Sequence, residues 1–163
     1  SMWWSERLVF LALVLVLGGC GFRLQGSESL PPKIARSYIS TPDRYTPFHR
    51  ELVSALEARG VEVTEDPARA SAVLEIARDD TGQRVLSVSG RNVPREFEIY
   101  YTVEYSVRTT EGTVLAPERI TLTQDYTWEE TRVLGKRREE EMLREALVRD
   151  LVRQVVRQLA SID

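Results

Sequence analysis

The sequence predicts an α/β fold of the α+β kind, a two-layer sandwich of one mostly antiparallel sheet with two helices on one face. Three stretches carry that prediction. From residue 97 to 107 apolar and polar side chains alternate without a break, the period of a half-buried antiparallel strand. Residues 47–59 and 139–162 each gather their apolar side chains on one helical face. A helix with one apolar face must bury it, and a single sheet face is the simplest surface for both.

The first element is not part of that fold. A ten-residue apolar run, residues 8–17, leads into Gly18-Gly19-Cys20, and Cys20 is the only cysteine of the 163 residues. An apolar segment ending in small residues before a cysteine is the layout of a bacterial lipoprotein signal peptide. Cleavage before Cys20 would remove residues 1–19. Cys20 would then carry S-diacylglycerol on its thiol and a palmitoyl group on its amino group. Residues 20–163 would form a single periplasmic domain. Ten apolar residues make a helix of about 15 Å, half a bilayer core, which is too short to span. Two lipid chains anchor far better than one, at about 0.8 kcal/mol per buried CH₂. Gly21 rather than Asp after the cysteine favours the outer membrane, by analogy with bacterial sorting. Ser1 before Met2 reads as a cloning remnant.

After the cysteine, Phe22 and Leu24 alternate with Arg23 and Gln25 as in a short strand. Pro31-Pro32 breaks the chain, and residues 33–40 form a second extended piece around Ile34, Tyr38 and Ile39. Thr41-Pro42-Asp43 signals a turn. Thr46 is placed to cap the first helix and Pro47 to occupy its first turn, where a missing donor does no harm. Phe48, Leu52, Ala55 and Leu56 share one face of it, and Gly60 follows as a left-handed terminator. Residues 61–63, 72–76 and 85–88 read as strands, with Asp79-Asp80-Thr81-Gly82 as a loop between the last two. The alternating strand follows. Thr110-Glu111-Gly112 turns the chain, and residues 114–128 return as its partner, interrupted at Pro117. Residues 139–162 close the chain as a long helix with Glu139-Glu140-Glu141 at its start, where negative charge suits the helix dipole.

Composition narrows the function classes. The net charge is −3, which argues against nucleic acid as a partner, since phosphate neutralisation needs a basic surface. Twenty of the 22 basic residues are Arg, the exceptions being Lys33 and Lys136. A G+C-rich genome and a need for guanidinium forks both give that bias. The one histidine, His49, stands in the first helix without a nucleophile motif, and no G-x-S-x-G, P-loop or paired-cysteine pattern occurs. The reading is therefore of a protein that is not an enzyme, with no catalytic residue, cofactor or metal site.

Two loops concentrate the remaining chemistry. One is Ser89-Gly90-Arg91-Asn92-Val93-Pro94-Arg95; the other is Arg132-Val133-Leu134-Gly135-Lys136-Arg137-Arg138. In an up-and-down sheet both can fall at the same end. A basic rim there, with Tyr126 and Trp128 nearby, would hold a phosphorylated amphiphile through charge-assisted hydrogen bonds. Lys136-Arg137-Arg138 would equally serve to balance Glu139-Glu140-Glu141, and both readings stand.

The run Cys20-Gly21-Phe22-Arg23-Leu24-Gln25-Gly26 resembles the start of the lipopolysaccharide-assembly lipoproteins of the LptE family, with Gln25 where Arg is common. The likeness continues through Glu96-Phe97-Glu98-Ile99 to Gly112, and through Leu134-Gly135-Lys136 and Glu139 into the last helix. It implies a sheet of four strands under the two helices. It also implies a non-enzymatic outer-membrane lipoprotein that plugs the LptD β-barrel one to one, helps it assemble, and takes part in delivering lipopolysaccharide to the cell surface. The lipid anchor would sit in the inner leaflet of the outer membrane, with the domain facing the periplasm and the barrel lumen. Basic loop residues of the family are thought to contact lipopolysaccharide. Lys136 matches such a position and Arg91 falls in the matching hairpin, with Arg95 and Arg137 beside them. The alternative is a generic outer-membrane lipoprotein that scaffolds periplasmic proteins or binds peptidoglycan.

Overall fold

A computed structural model describes residues 29–128 and 133–162. Cys20, the apolar run before it, the strand expected at residues 20–26, and Arg132 lie outside the described residues. The elements are β1 (Arg36–Ser40), α1 (Pro47–Glu57), β2 (Glu62–Val63), β3 (Ala72–Val88), β4 (Pro94–Thr109), β5 (Gly112–Thr127) and α2 (Val133–Ala160), with single 3₁₀ turns at Pro32–Ile34 and Pro67–Arg69. They form the expected two-layer α+β sandwich. The sheet differs in detail: it has five strands in the order β2-β1-β3-β4-β5, not four. β1 runs parallel to both β2 and β3, while the long β3/β4 and β4/β5 pairs are antiparallel. The fifth strand is a two-residue edge piece. It arises because α1 carries the chain back over the sheet, as a parallel neighbour requires.

α1 starts as its residues dictate. The Thr46 hydroxyl accepts the His49 amide at 3.1 Å, Pro47 is the first helical residue, and Gly60 stands just beyond the helix with φ +83°. Phe48, Leu52 and Leu56 are buried, each such side chain contributing about 1.5–3 kcal/mol. They meet α2 residues Leu151, Val152, Val155, Val156 and Leu159 and the inner row of β4 (Ile99, Tyr101, Val103, Tyr105, Val107) in one core. The alternation in β4 was legible because each of those inner residues is buried.

The expected loop at Asp79-Asp80-Thr81-Gly82 does not exist. β3 runs straight through it, paired to residues 100–103 of β4. A bulge at Ala77 makes this workable: Ile76 opposes Tyr105, and Arg78 already opposes Glu104. One extra residue reverses the faces of everything after it, so Arg78 and Arg84 turn outward and Asp79 turns toward the helices. There Asp79 accepts hydrogen bonds from the Tyr101 hydroxyl, at 2.7 Å, and from Thr46, the cap of α1. On the outer face Gly82 leaves room for the Tyr100 ring, whose hydroxyl would lie 2.5 Å from an added Cβ. Pro117 falls at a register slip on β5, an edge strand, where its missing donor is tolerated.

α2 begins at Val133, not Glu139, so Lys136-Arg137-Arg138 are helical and not loop residues. Lys136 pairs with Glu139 and Glu140 with Arg144, spacings that only a helix satisfies. Tyr126, opposite Phe97, donates to Glu140 at 3.3 Å, while Tyr105 donates to Gln158. Eight residue steps along the strand from Phe97 to Tyr105 and eighteen along the helix from Glu140 to Gln158 both cover about 26–27 Å. The helix therefore runs parallel to β4 between these two contacts.

His49 carries a pH consequence. Its partial burial, with the Arg44 guanidinium acting in the same direction, holds the imidazole below its ordinary 6.5. The unfolded chain then binds that proton more tightly, so the contribution is whole above pH 6.5 and declines as the pH falls through that value. Urea unfolding on both sides of this pH should show a shallower decline in His49→Gln; an identical slope would contradict the assignment.

Candidate functional site

One end of the domain gathers the β3–β4 hairpin, the end of β5 and the start of α2. The hairpin turn is tight: the Ser89 amide donates to the Val93 carbonyl at 2.7 Å and the Asn92 amide to the Ser89 carbonyl at 2.9 Å. Asn92 adopts φ +62°, a left-handed conformation its short polar side chain tolerates. Arg91 stands exposed at the apex. Arg95 is also exposed, and its carbonyl accepts the Trp128 amide at 2.8 Å. That bond joins the hairpin to the chain entering α2, so both basic segments do fall at one end.

Beneath them lies an aromatic platform. Phe97 stacks on Tyr126 with centroids 5.6 Å apart and meets Trp128 edge-on at 6.1 Å. Tyr126 is buried, and its hydroxyl lies 3.3 Å from both Gln83 and Glu140. Burial and then the Glu140 carboxylate push this phenol up to about 12, so it stays a neutral donor.

Lys136 lies one helical turn before Glu140, about 6 Å further along and level with Arg95. Its side chain is only 13 % exposed and its ammonium is 2.8 Å from Glu139. Arg137 and Arg138 are exposed, and among the described residues neither they nor Arg91 and Arg95 have an ion-pair partner. Cations in the first turns of a helix oppose its dipole, so stability does not ask for them there. The structure thus separates the four expected residues: Arg91, Arg95 and Arg137 offer open guanidiniums, whereas Lys136 is covered and paired.

Sequence reasoning missed the apolar component. Val85, Leu86 and Val88 near the hairpin are about half exposed, and Leu134 and Met142 on α2 are 84 % and 61 % exposed. Leu134 and Met142 flank a shallow groove with Arg137, Arg138, Glu141 and Glu145. An α2 starting at Val133 would have revealed Leu134 and Met142 as apolar positions on the charged face. Among the described residues no three His, Cys, Asp or Glu side chains gather as metal ligands, and no helix is long and apolar enough to cross a membrane.

The family model for LptE, described as lipopolysaccharide-assembly, matches residues 34–159. The chain belongs to this family. The LPS-assembly lipoprotein LptE of Yersinia enterocolitica is 28 % identical, the match covering 94 % of this chain and 76 % of that protein. The corresponding protein of Yersinia pestis (strain Pestoides F) is 26 % identical, covering 96 % and 77 %. The solution structure of lipoprotein B from Nitrosomonas europaea superposes with a TM-score of 0.72 at 28 % identity, over 86 % of this chain and 91 % of that one. The crystal structure of rare lipoprotein B from Shewanella oneidensis shares the fold, with a TM-score of 0.66 at 23 % identity, over 77 % and 94 %.

Proposed function

We propose that this member of the LptE family is an outer-membrane lipoprotein, anchored through Cys20, that plugs an LptD-type β-barrel one to one. In this reading it assists barrel assembly and binds lipopolysaccharide on its way to the cell surface. The observation that carries the reading is the open basic end: Arg91, Arg95 and Arg137 without ion-pair partners among the described residues, beside exposed Val85, Leu86, Val88 and Leu134. Unpaired guanidiniums next to apolar side chains suit a phosphorylated amphiphile, whose phosphates take forked hydrogen bonds and whose chains take the apolar contacts. Lys136 contributes once a phosphate competes with Glu139 for its ammonium.

The plug role draws support from the sheet face that neither helix covers. Its side chains are mostly polar, with cross-strand ion pairs Arg36–Glu62, Arg108–Glu75, Arg84–Glu98 and Arg119–Glu104. Such surface pairs, the more exposed of them adding only about 0–1 kcal/mol each, suit a surface that lines hydrated space. Gentle detergent extraction of native outer membranes should bring this chain out with a large β-barrel at equal stoichiometry. Recovery only as a free lipoprotein, or with peptidoglycan, would favour the generic scaffold instead.

A further inference from the structure

Among the described residues β5 ends the sheet, and half of its outer edge lacks the devices that keep edges from pairing. Along residues 113–119 the register with β4 slips twice and Pro117, Glu118 and Arg119 stand in the strand. Bulges, prolines and charges are how natural edges are blunted. Along residues 120–127 the register is unbroken, there is no Pro or Gly, and Asp125 is the one charge.

The direction of each backbone group follows from the bond between the Trp128 amide and the Arg95 carbonyl, which continues the β4/β5 register. In an antiparallel ladder every second residue faces the partner strand. Tyr126, Gln124, Leu122 and Ile120 therefore bond to β4, and Thr121, Thr123, Asp125 and Thr127 turn their N–H and C=O groups outward. The Thr102 and Thr121 hydroxyls, 2.9 Å apart, agree with this, since opposed side chains come closest at pairs that exchange no backbone bonds. All four outward residues are exposed.

We propose that this half-edge takes up an extended strand of a partner protein, cationic on one face and apolar on the other. On the outer face Asp125 stands opposite Glu98, which Arg84 pairs, and Thr127 opposite Glu96, so the three carboxylates outweigh the one guanidinium and the incoming strand meets a net acidic corner. On the inner face Ile120 and Leu122, both half-buried, continue the apolar row that Tyr126 closes. A second copy using the same edge would bring the same acidic corner, which charge complementarity disfavours. The half-edge adjoins the basic rim at Thr127, one residue from the bond between Trp128 and Arg95, but the proposal does not rest on what the rim binds.

The probe is an acetylated octapeptide alternating lysine and valine, added to the purified full chain. Amide hydrogens of Thr121, Thr123 and Asp125 should exchange quickly in the free protein and become protected with peptide, while those of Leu122 and Gln124 stay protected throughout. Thr123→Pro removes an outward donor without touching a bond to β4 and should weaken the peptide about tenfold. Asp125→Lys should do the same through charge and serves if the proline disturbs the strand. No protection with peptide, or equal affinity for a glutamate–valine peptide, overturns the proposal. So does protection that rises with protein concentration alone, which would assign the edge to a second copy.

Discussion

Exchanging Arg91, Arg95 and Arg137 together for glutamate is expected to weaken lipopolysaccharide binding by about a thousandfold while leaving the unfolding midpoint nearly unchanged. A charge-assisted contact to a phosphate contributes about tenfold in affinity, and the three contacts multiply if they act independently. The fold is indifferent to the change because none of the three has an ion-pair partner among the described residues, and all are exposed. Lys136 is the wrong residue for this test taken alone. Its ammonium holds Glu139 at 2.8 Å, and Lys136→Glu would place like charges one turn apart from Glu139 and Glu140, so binding and helix stability would change together. Fluorescence binding at fixed ionic strength, with dephosphorylated lipopolysaccharide as the comparison, separates phosphate recognition from apolar contact. Equal affinity of the triple variant and the parent would remove the rim from the binding surface and leave family membership untouched.

The residues whose partners lie close in sequence were the legible ones. Thr46 and Pro47 announced α1 because a cap needs only the three residues after it, and β4 announced itself because every second residue points into one core. What escaped depended on distant pairing. Asp79-Asp80-Thr81-Gly82 has turn composition, yet it pairs with residues 100–103 of β4, and the Asp79 carboxylate is held by Thr46 and Tyr101. β2 was read as a strand at residues 61–63, but its parallel place beside β1 was not, because that partner lies on the other side of α1. The early start of α2 was hidden by Gly135 and a basic run that resemble a loop. At the basic end, the turn holding Arg91 was readable from Ser89 to Asn92. The bond from Trp128 to Arg95, which brings the two basic segments together, crosses the sheet and leaves no local trace.

Phe48→Ala is expected to be the most damaging single truncation, at about 4 kcal/mol and roughly 10–15 °C in Tm. The ring is fully buried, and its centroid lies 6.4 Å from that of Tyr101, at the junction where α1 meets β4. A cavity there cannot close easily, because Tyr101 is tied through its hydroxyl to Asp79, and Asp79 is tied to the α1 cap through Thr46. Packing and polar bonding thus hold one another in place. Asp79→Ala alone should cost about 2–3 kcal/mol, since two hydroxyls lose a charged acceptor. Combined with Phe48→Ala it should cost less than the two losses added, because a Tyr101 ring already freed by the cavity has less to lose. Urea unfolding of the two single variants and the double variant measures that coupling. Strict additivity would mean that the bulge placing Asp79 under α1 and the helix face above it are held independently, contrary to the geometry.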